Sequence, residues 1–171
     1  IGEFAFQDCT SLKNVSIYSN VSVIPEQAFG NCKSLEKINI PSTVKSIGSY
    51  AFYNCSALTE LTLSKNITDI ANGAFYNCPN LTLYGYYDTV AESYAEQNNI
   101  PFVHLDKKVI SGDVNLDGKI DINDVTLLQR YIAGESVLTD DAVKAADFNK
   151  DRIIDVIDAT AIQTFIAHGQ N

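Results

Sequence analysis

The sequence contains no methionine and no tryptophan, and it has only two histidines. Twelve lysines and arginines stand against 21 aspartates and glutamates, a formal net charge of −9. Without methionine the chain carries no start of its own, so it is expected to be the C-terminal piece of a longer protein. The shortage of basic residues leaves no patch to attract phosphates, which argues against nucleic acid or an anionic membrane as partner. No apolar run is long enough to span a bilayer, and no signal peptide is present. The scarce histidines, His104 and His168, fall near segment ends and outside any triad or metal pattern. Glu26, Glu36 and Glu60 read as solvated charges, not as a glycosidase carboxylate pair. No enzyme activity is expected of these residues.

What is present is a ladder. Phe6, Phe29, Phe52 and Phe75 stand 23 residues apart, as do Cys9, Cys32, Cys55 and Cys78. Ala5, Ala28, Ala51 and Ala74 keep the same spacing, with Leu12, Leu35, Leu58 and Leu81. A fixed period of this length marks a solenoid, because one copy is too small to bury its own apolar face and must stack on its neighbours. In the third copy Leu58, Leu61 and Leu63 form L-x-x-L-x-L, which predicts a short strand with Leu61 and Leu63 inward. Thr62 then faces outward, as do Ser16 and Asn39 in their copies. The repeated phenylalanine predicts an internal aromatic stack. The first copy lacks a preceding neighbour, in keeping with a longer array.

Ala-Phe-x-x-Cys-x-x-Leu in four copies resembles the BspA-type leucine-rich repeats of bacterial cell-surface proteins. The resemblance covers residues 1–105 and implies a right-handed α/β solenoid with a parallel β-sheet. Its closing segment is also recognisable in Leu83, Tyr84, Gly85 and Tyr86, a helical stretch at 90–98, and a strand at Phe102 and Val103. Val90, Ala91, Tyr94 and Ala95 would seal the open end. Tyr84, Tyr86, Tyr87 and Tyr94 could stack on sugars or pack within the cap; their place at the ladder's end favours the cap. The four cysteines allow two disulfides, or they are small buried hydrophobes. Their periodic placement favours free thiols, although one strand spacing between coils does not exclude a bridge.

Beyond the repeats, acidic residues recur at regular offsets. From Asp113 to Asp124, oxygen-bearing side chains occupy loop positions 1, 3, 5, 9 and 12 (Asp113, Asn115, Asp117, Asp121 and Asp124), with Gly118 at position 6. This is the spacing an EF-hand-like loop uses around Ca²⁺, with Lys119 supplying its backbone carbonyl. A second copy begins 34 residues later with Asp147, Asn149, Asp151, Asp155 and Asp158, and with Ile153 as the carbonyl donor. Arg152 replaces the glycine there and must take a positive φ, costing about 1 kcal/mol. Hard cations prefer such oxygens, and clustered carboxylates repel one another without one. Two ions are expected, each loop being followed by one helix, at 123–133 and 157–167. Residues 107–112 are too few for a helix before the first loop.

The duplicated loop-helix unit from Gly112 to Tyr131, repeated with divergence, resembles a dockerin, a small all-α, EF-hand-like module. The resemblance implies docking onto the cohesin module of a scaffolding protein, as in cellulosomes, which degrade plant cell walls outside the cell. Family contact positions fall here on Ile122, Asn123, Gln129, Arg130 and Gly134, and on Val156, Ile157, Gln163 and Thr164. Val156 and Ile157 could instead pack internally. Leu127, Leu128, Tyr131, Ile132, Ile162, Phe165 and Ile166 are the expected core. The expected organisation is a solenoid at 1–105, a linker at 106–111 and the dockerin at 112–168. The repeats would bind a protein or glycan or serve as a spacer. The alternatives are a cell-surface adhesion protein, or the remnant of a component whose catalytic module lies further N-terminal. Either way the protein is expected to be secreted, in a cellulosome or at the bacterial surface.

Overall fold

The computed structural model describes residues 1–18 and 20–169. The chain divides into two compact units, residues 1–107 and 108–171.

The first unit is a stack of coils with two short strands per coil. In chain order the strands are β1 (Asn14–Ser16), β2 (Val23–Ile24), β3 (Lys37–Asn39), β4 (Ser46–Ile47), β5 (Glu60–Thr62), β6 (Asp69–Ile70) and β7 (Thr82–Gly85). Helix α1 (Val90–Gln97) and strand β8 (Phe102–His104) complete the unit. All pairings are parallel: β1 with β3, β4 between β2 and β6, and β7 between β5 and β8. The register follows the 23-residue repeat between β1 and β3, with Val15 opposite Ile38, and tightens to 22 residues between β5 and β7, with Leu61 opposite Leu83. Leu61 and Leu63 are buried, while Ser16, Asn39 and Thr62 are exposed, as the alternation requires.

The phenylalanines stack through the middle. Ring centroids are 5.2 Å apart for Phe6–Phe29, then 5.4 Å for Phe29–Phe52 and for Phe52–Phe75, with planes within 10° of parallel. Tyr94 of α1 ends the stack edge-on against Phe75 at 5.8 Å. Phe29 and Phe52 are fully buried, and each such side chain contributes about 1.5–3 kcal/mol.

Two further columns run beside the rings. Asp8, Asn31, Asn54 and Asn77 all hold φ between 58° and 61°, a left-handed conformation that short polar side chains tolerate best. Each asparagine amide donates to the side-chain oxygen one coil earlier, at 2.8, 2.7 and 2.8 Å. The thiols of Cys32, Cys55 and Cys78 donate to the carbonyls of Phe6, Phe29 and Phe52 at 3.1–3.2 Å. All four cysteines are free. Burial pushes the thiols of Cys32 and Cys78 up to about 11 and that of Cys55 higher still.

The cap tyrosines differ in their surroundings. Tyr94 is buried, Tyr87 stacks on His104 at 3.6 Å, and Lys65 sits 4.7 Å over the Tyr86 ring. His104 Nε2 lies 2.6 Å from Glu92 Oε1, and His168 Nδ1 lies 2.8 Å from its own helix's Thr164 carbonyl. Both histidines have local structural partners.

Among the described residues the second unit contains three helices, α2 (Ile122–Ile132), α3 (Asp140–Ala146) and α4 (Val156–His168). Its core comprises Val114, Val125, Leu128, Ala146, Ala159 and Ile162, with Leu127, Tyr131, Ile132 and Ile166 packed around it. Phe165 meets Phe148 at 5.7 Å. Helix α3 was not foreseen. Its signals are brief: Thr139 accepts from Ala142 N–H as N-cap, and Asp140 and Asp141 fill the first turn. No described helix is long and apolar enough to cross a membrane.

Candidate metal loops and docking face

Each acidic loop ends by starting a helix. Asp121 caps α2 and Asp155 caps α4, each accepting from a backbone N–H two residues on. Asp124 and Asp158 bond back to the cap residues' own N–H, at 2.8 and 3.1 Å. These reciprocal capping boxes explain why a carboxylate stands at loop position 12. Both position-12 carboxylates are fully buried. Their second oxygens reach across the loop, Asp124 to Asn115 N–H at 3.0 Å and Asp158 to Phe148 N–H at 2.9 Å.

The remaining oxygens follow one plan in both copies. Asn115 Oδ1 accepts from Asp117 N–H and Asn149 Oδ1 from Asp151 N–H, each at 2.9 Å. Asp117 and Asp151 accept from the N–H groups of Lys119 and Ile153. The backbone turns twice through positive φ: at Leu116 and Gly118 in the first loop, and at Lys150 and Arg152 in the second. Arg152 sits at φ 71°, as its glycine-replacing position requires. Positive φ at loop position 4 was missed, because neither leucine nor lysine advertises it.

The loops differ at position 1. Asp113 is buried with both oxygens occupied, by Asp117 N–H at 3.0 Å and Gly118 N–H at 2.9 Å. Asp147 Oδ2 accepts from Arg152 N–H at 3.1 Å, but its buried Oδ1 has no partner. A buried carboxylate oxygen without a donor is costly unless a cation meets it. Among the described residues, no three His, Cys, Asp or Glu side chains converge as a ready-made metal cage. An EF-hand-like loop also draws on amide oxygen, a backbone carbonyl and water, and the donor set of both loops suits that mixture.

Beside the loops, Ile122, Val156 and Ile157 occupy the first turns of α2 and α4 and are 59%, 64% and 57% exposed. Asn123, Gln129, Arg130, Gly134, Gln163 and Thr164 are exposed as well. Internal packing of Val156 and Ile157 is therefore not observed. Ile153 is another exposed apolar residue of the second copy, 60% accessible where the first copy has Lys119. Its carbonyl is the candidate ligand, while its side chain reaches solvent. On the repeats, a groove of about 780 Å³ lies over the strand face, lined among others by Asn14, Lys37, Asn39, Thr62, Tyr84 and Tyr86.

Residues 1–99 match the family model of the BspA type leucine rich repeat region (6 copies). The chain belongs to this family. Residues 111–167 match the dockerin type I domain, so a BspA-type repeat region is followed by a dockerin module. Neither module is a catalytic one. Similar solved structures are a leucine-rich repeat protein from Bacteroides ovatus (37% identity, TM-score 0.47) and a leucine rich cell surface protein from Faecalibacterium prausnitzii (30%, 0.46). A leucine rich repeat protein of T. pallidum is 26% identical, with a TM-score of 0.41. These matches cover 48%, 48% and 49% of this BspA-type chain, and 21%, 22% and 50% of the other proteins. The chain thus spans half or less of the solved relatives' length. No curated protein matches it.

Proposed function

We propose that the dockerin module attaches a secreted bacterial protein to a cohesin module of a scaffold, in a calcium-dependent manner, as part of a cellulosome or a comparable surface assembly. The observation that carries the calcium reading is the buried, unpartnered Oδ1 of Asp147, in a loop whose oxygen pattern recurs at Asp113. Two ions would bind, one per loop. Asp113, Asn115, Asp117, Asp121, Asp124 and the Lys119 carbonyl would serve the first. Asp147, Asn149, Asp151, Asp155, Asp158 and the Ile153 carbonyl would serve the second. When bound, the ion supplies charge balance and fixes the loop ahead of each helix; it takes no part in bond chemistry. The exposed residues of α2 and α4 would then face the cohesin.

The repeats serve as a recognition or spacing module outside the cell. The acid balance of the C-terminal unit supports the calcium reading. Residues 107–171 hold eight acidic side chains at the ligand positions, and two divalent ions would offset much of that charge. Calorimetric titration with calcium, followed by titration with a type I cohesin with and without chelator, tests the proposal. Two ions per chain and chelator-sensitive cohesin binding are expected. No calcium uptake at millimolar supply would overturn the metal reading. Cohesin binding that survives chelation would overturn the dependence.

A further inference from the structure

Along the phenylalanine stack, backbone N–H donors point to the next coil. Phe52 N–H donates to Ala74 carbonyl and Asn54 N–H to Tyr76 carbonyl, and the same pairs join the coils before. At the last coil there is no such neighbour. The Tyr94 hydroxyl meets the backbone of Phe75 there and takes over one of these roles. Nothing takes over the other. Among the described residues, no group accepts from Asn77 N–H or donates to its Oδ1, where every earlier rung of the amide column has a successor. The column therefore ends with a donor and an acceptor side by side.

That end opens into a pocket of about 280 Å³ between the fourth coil and the turn from α1 to β8. Tyr76, Asn77, Asn98, Asn99, Pro79 and Pro101 are among its lining residues, and none of the lining residues is charged. Tyr76 is 63% exposed. One face of its ring stacks on Tyr53 at 6.0 Å, and no other described ring covers the opposite face. A ligand for this pocket must be neutral, small in cross-section, rich in hydrogen-bonding groups and apolar on one face. A sugar ring meets all four demands. Its axial C–H groups pack on an aromatic face, and adjacent hydroxyls can donate to an amide oxygen while accepting from an N–H. A phosphate or uronate would find no counter-charge there, and a lipid chain would strand the amides.

We propose that this pocket binds one neutral sugar ring of a polysaccharide, with its C–H face on Tyr76 and two adjacent hydroxyls on Asn77 N–H and Oδ1. This deepens the reading of the repeats as a recognition module and rests on it, independently of calcium or cohesin. The test uses the whole chain and saturation-transfer NMR with soluble cello-, xylo- and manno-oligosaccharides, with an oligogalacturonide as the charged comparison. Binding of at least one neutral sugar is expected. Tyr76→Ala should weaken it roughly tenfold, Tyr76→Phe should preserve it, and Tyr18→Ala, at an exposed position away from the cap, should leave it unchanged. Should Tyr76→Ala disturb the repeat amide spectrum, Asn77→Gly replaces it, since glycine keeps the positive φ and removes only the side chain. Sugar binding indifferent to both variants would overturn the pocket while leaving the recognition reading intact. Binding of the charged oligomer alone, or of no sugar at millimolar concentration, would overturn the proposal outright.

Discussion

Arg152 holds φ 71° at the place where the first loop has Gly118 at φ 90°. A side chain in this region costs about 1–2 kcal/mol, because Cβ crowds the following carbonyl. Arg152→Gly should stabilise the dockerin unit by up to ~1 kcal/mol, reduced by the extra chain entropy glycine brings to the unfolded state. Gly118→Arg should act in the opposite direction. Thermal melts of the calcium-loaded chain check both, and equal melting temperatures for the pair would refute the strain argument. The buried thiols make a second claim at this scale. Desolvation raises Cys32 and Cys78 from 9.0 to about 11, and Cys55 further. The folded repeats therefore keep their thiol protons where the unfolded chain begins to lose them. Their stabilising contribution is full below about pH 9 and is lost as pH rises through about 11. Denaturant midpoints of the repeat signal should fall between pH 8 and pH 10 more than in a Cys→Ala ladder. Alkylation at neutral pH should modify exposed Cys9 ahead of the buried Cys32 and Cys55.

Among the elements, α2 and α4 begin alike and present different surfaces. Ile122 and Asn123 open one helix, Val156 and Ile157 the other. Gln129 and Arg130 stand where Gln163 and Thr164 stand. A duplicated module can dock in two orientations only if both faces carry equivalent groups. Here the second face is more apolar, all the more with Ile153 exposed beside its loop. Burying an aliphatic side chain contributes about 1.5–3 kcal/mol, whereas Asn123 needs a polar partner to offset its desolvation. One orientation, led by the α4 face, is expected. Replacing Val156 and Ile157 by Asp should abolish cohesin binding, and the same change at Ile122 and Asn123 should weaken it modestly. If only the combined variant fails, binding is dual. The helix starts themselves were legible because each spaced run of oxygen-bearing residues gives way to an apolar helical stretch; the capping boxes that fix them emerge in the structure. The strand positions were legible because the 23-residue period fixes them in the first three coils, whereas β7 begins one residue early. Helix α3 was not, since seven residues of Asp, Ala, Val and Lys carry no apolar periodicity. The amide column was also missed. Asp or Asn before each cysteine looks like an ordinary polar turn until its neighbour's geometry is known.

At the scale of the whole molecule, the two units rest on different forces. The repeats bury Phe29, Phe52, Leu58 and Leu63 regardless of solution ions. The dockerin unit concentrates carboxylates that repel one another, three of them buried. Chelator is therefore expected to collapse the amide dispersion of residues 108–171 in an NMR spectrum and leave that of residues 1–107 in place. Loss of both sets together would show that the units do not fold independently. The expectation of such a division rests on the sequence, where periodic apolar residues and periodic acidic residues occupy separate stretches of the chain.

The amide column has one more consequence, for how such a chain can change over generations. Every rung joins a residue to its own counterpart one period away: Asn31 to Asp8, Asn54 to Asn31, Asn77 to Asn54. Loss or duplication of one whole period in the gene leaves each surviving rung facing a residue of the same kind, in the same backbone conformation. An insertion out of step with the period would set a β-branched or bulky side chain into a left-handed slot and break the rings, thiols and amides together. The fold thus filters copying errors by length, letting an array grow or shrink by full coils while holding the arrangement of each coil constant.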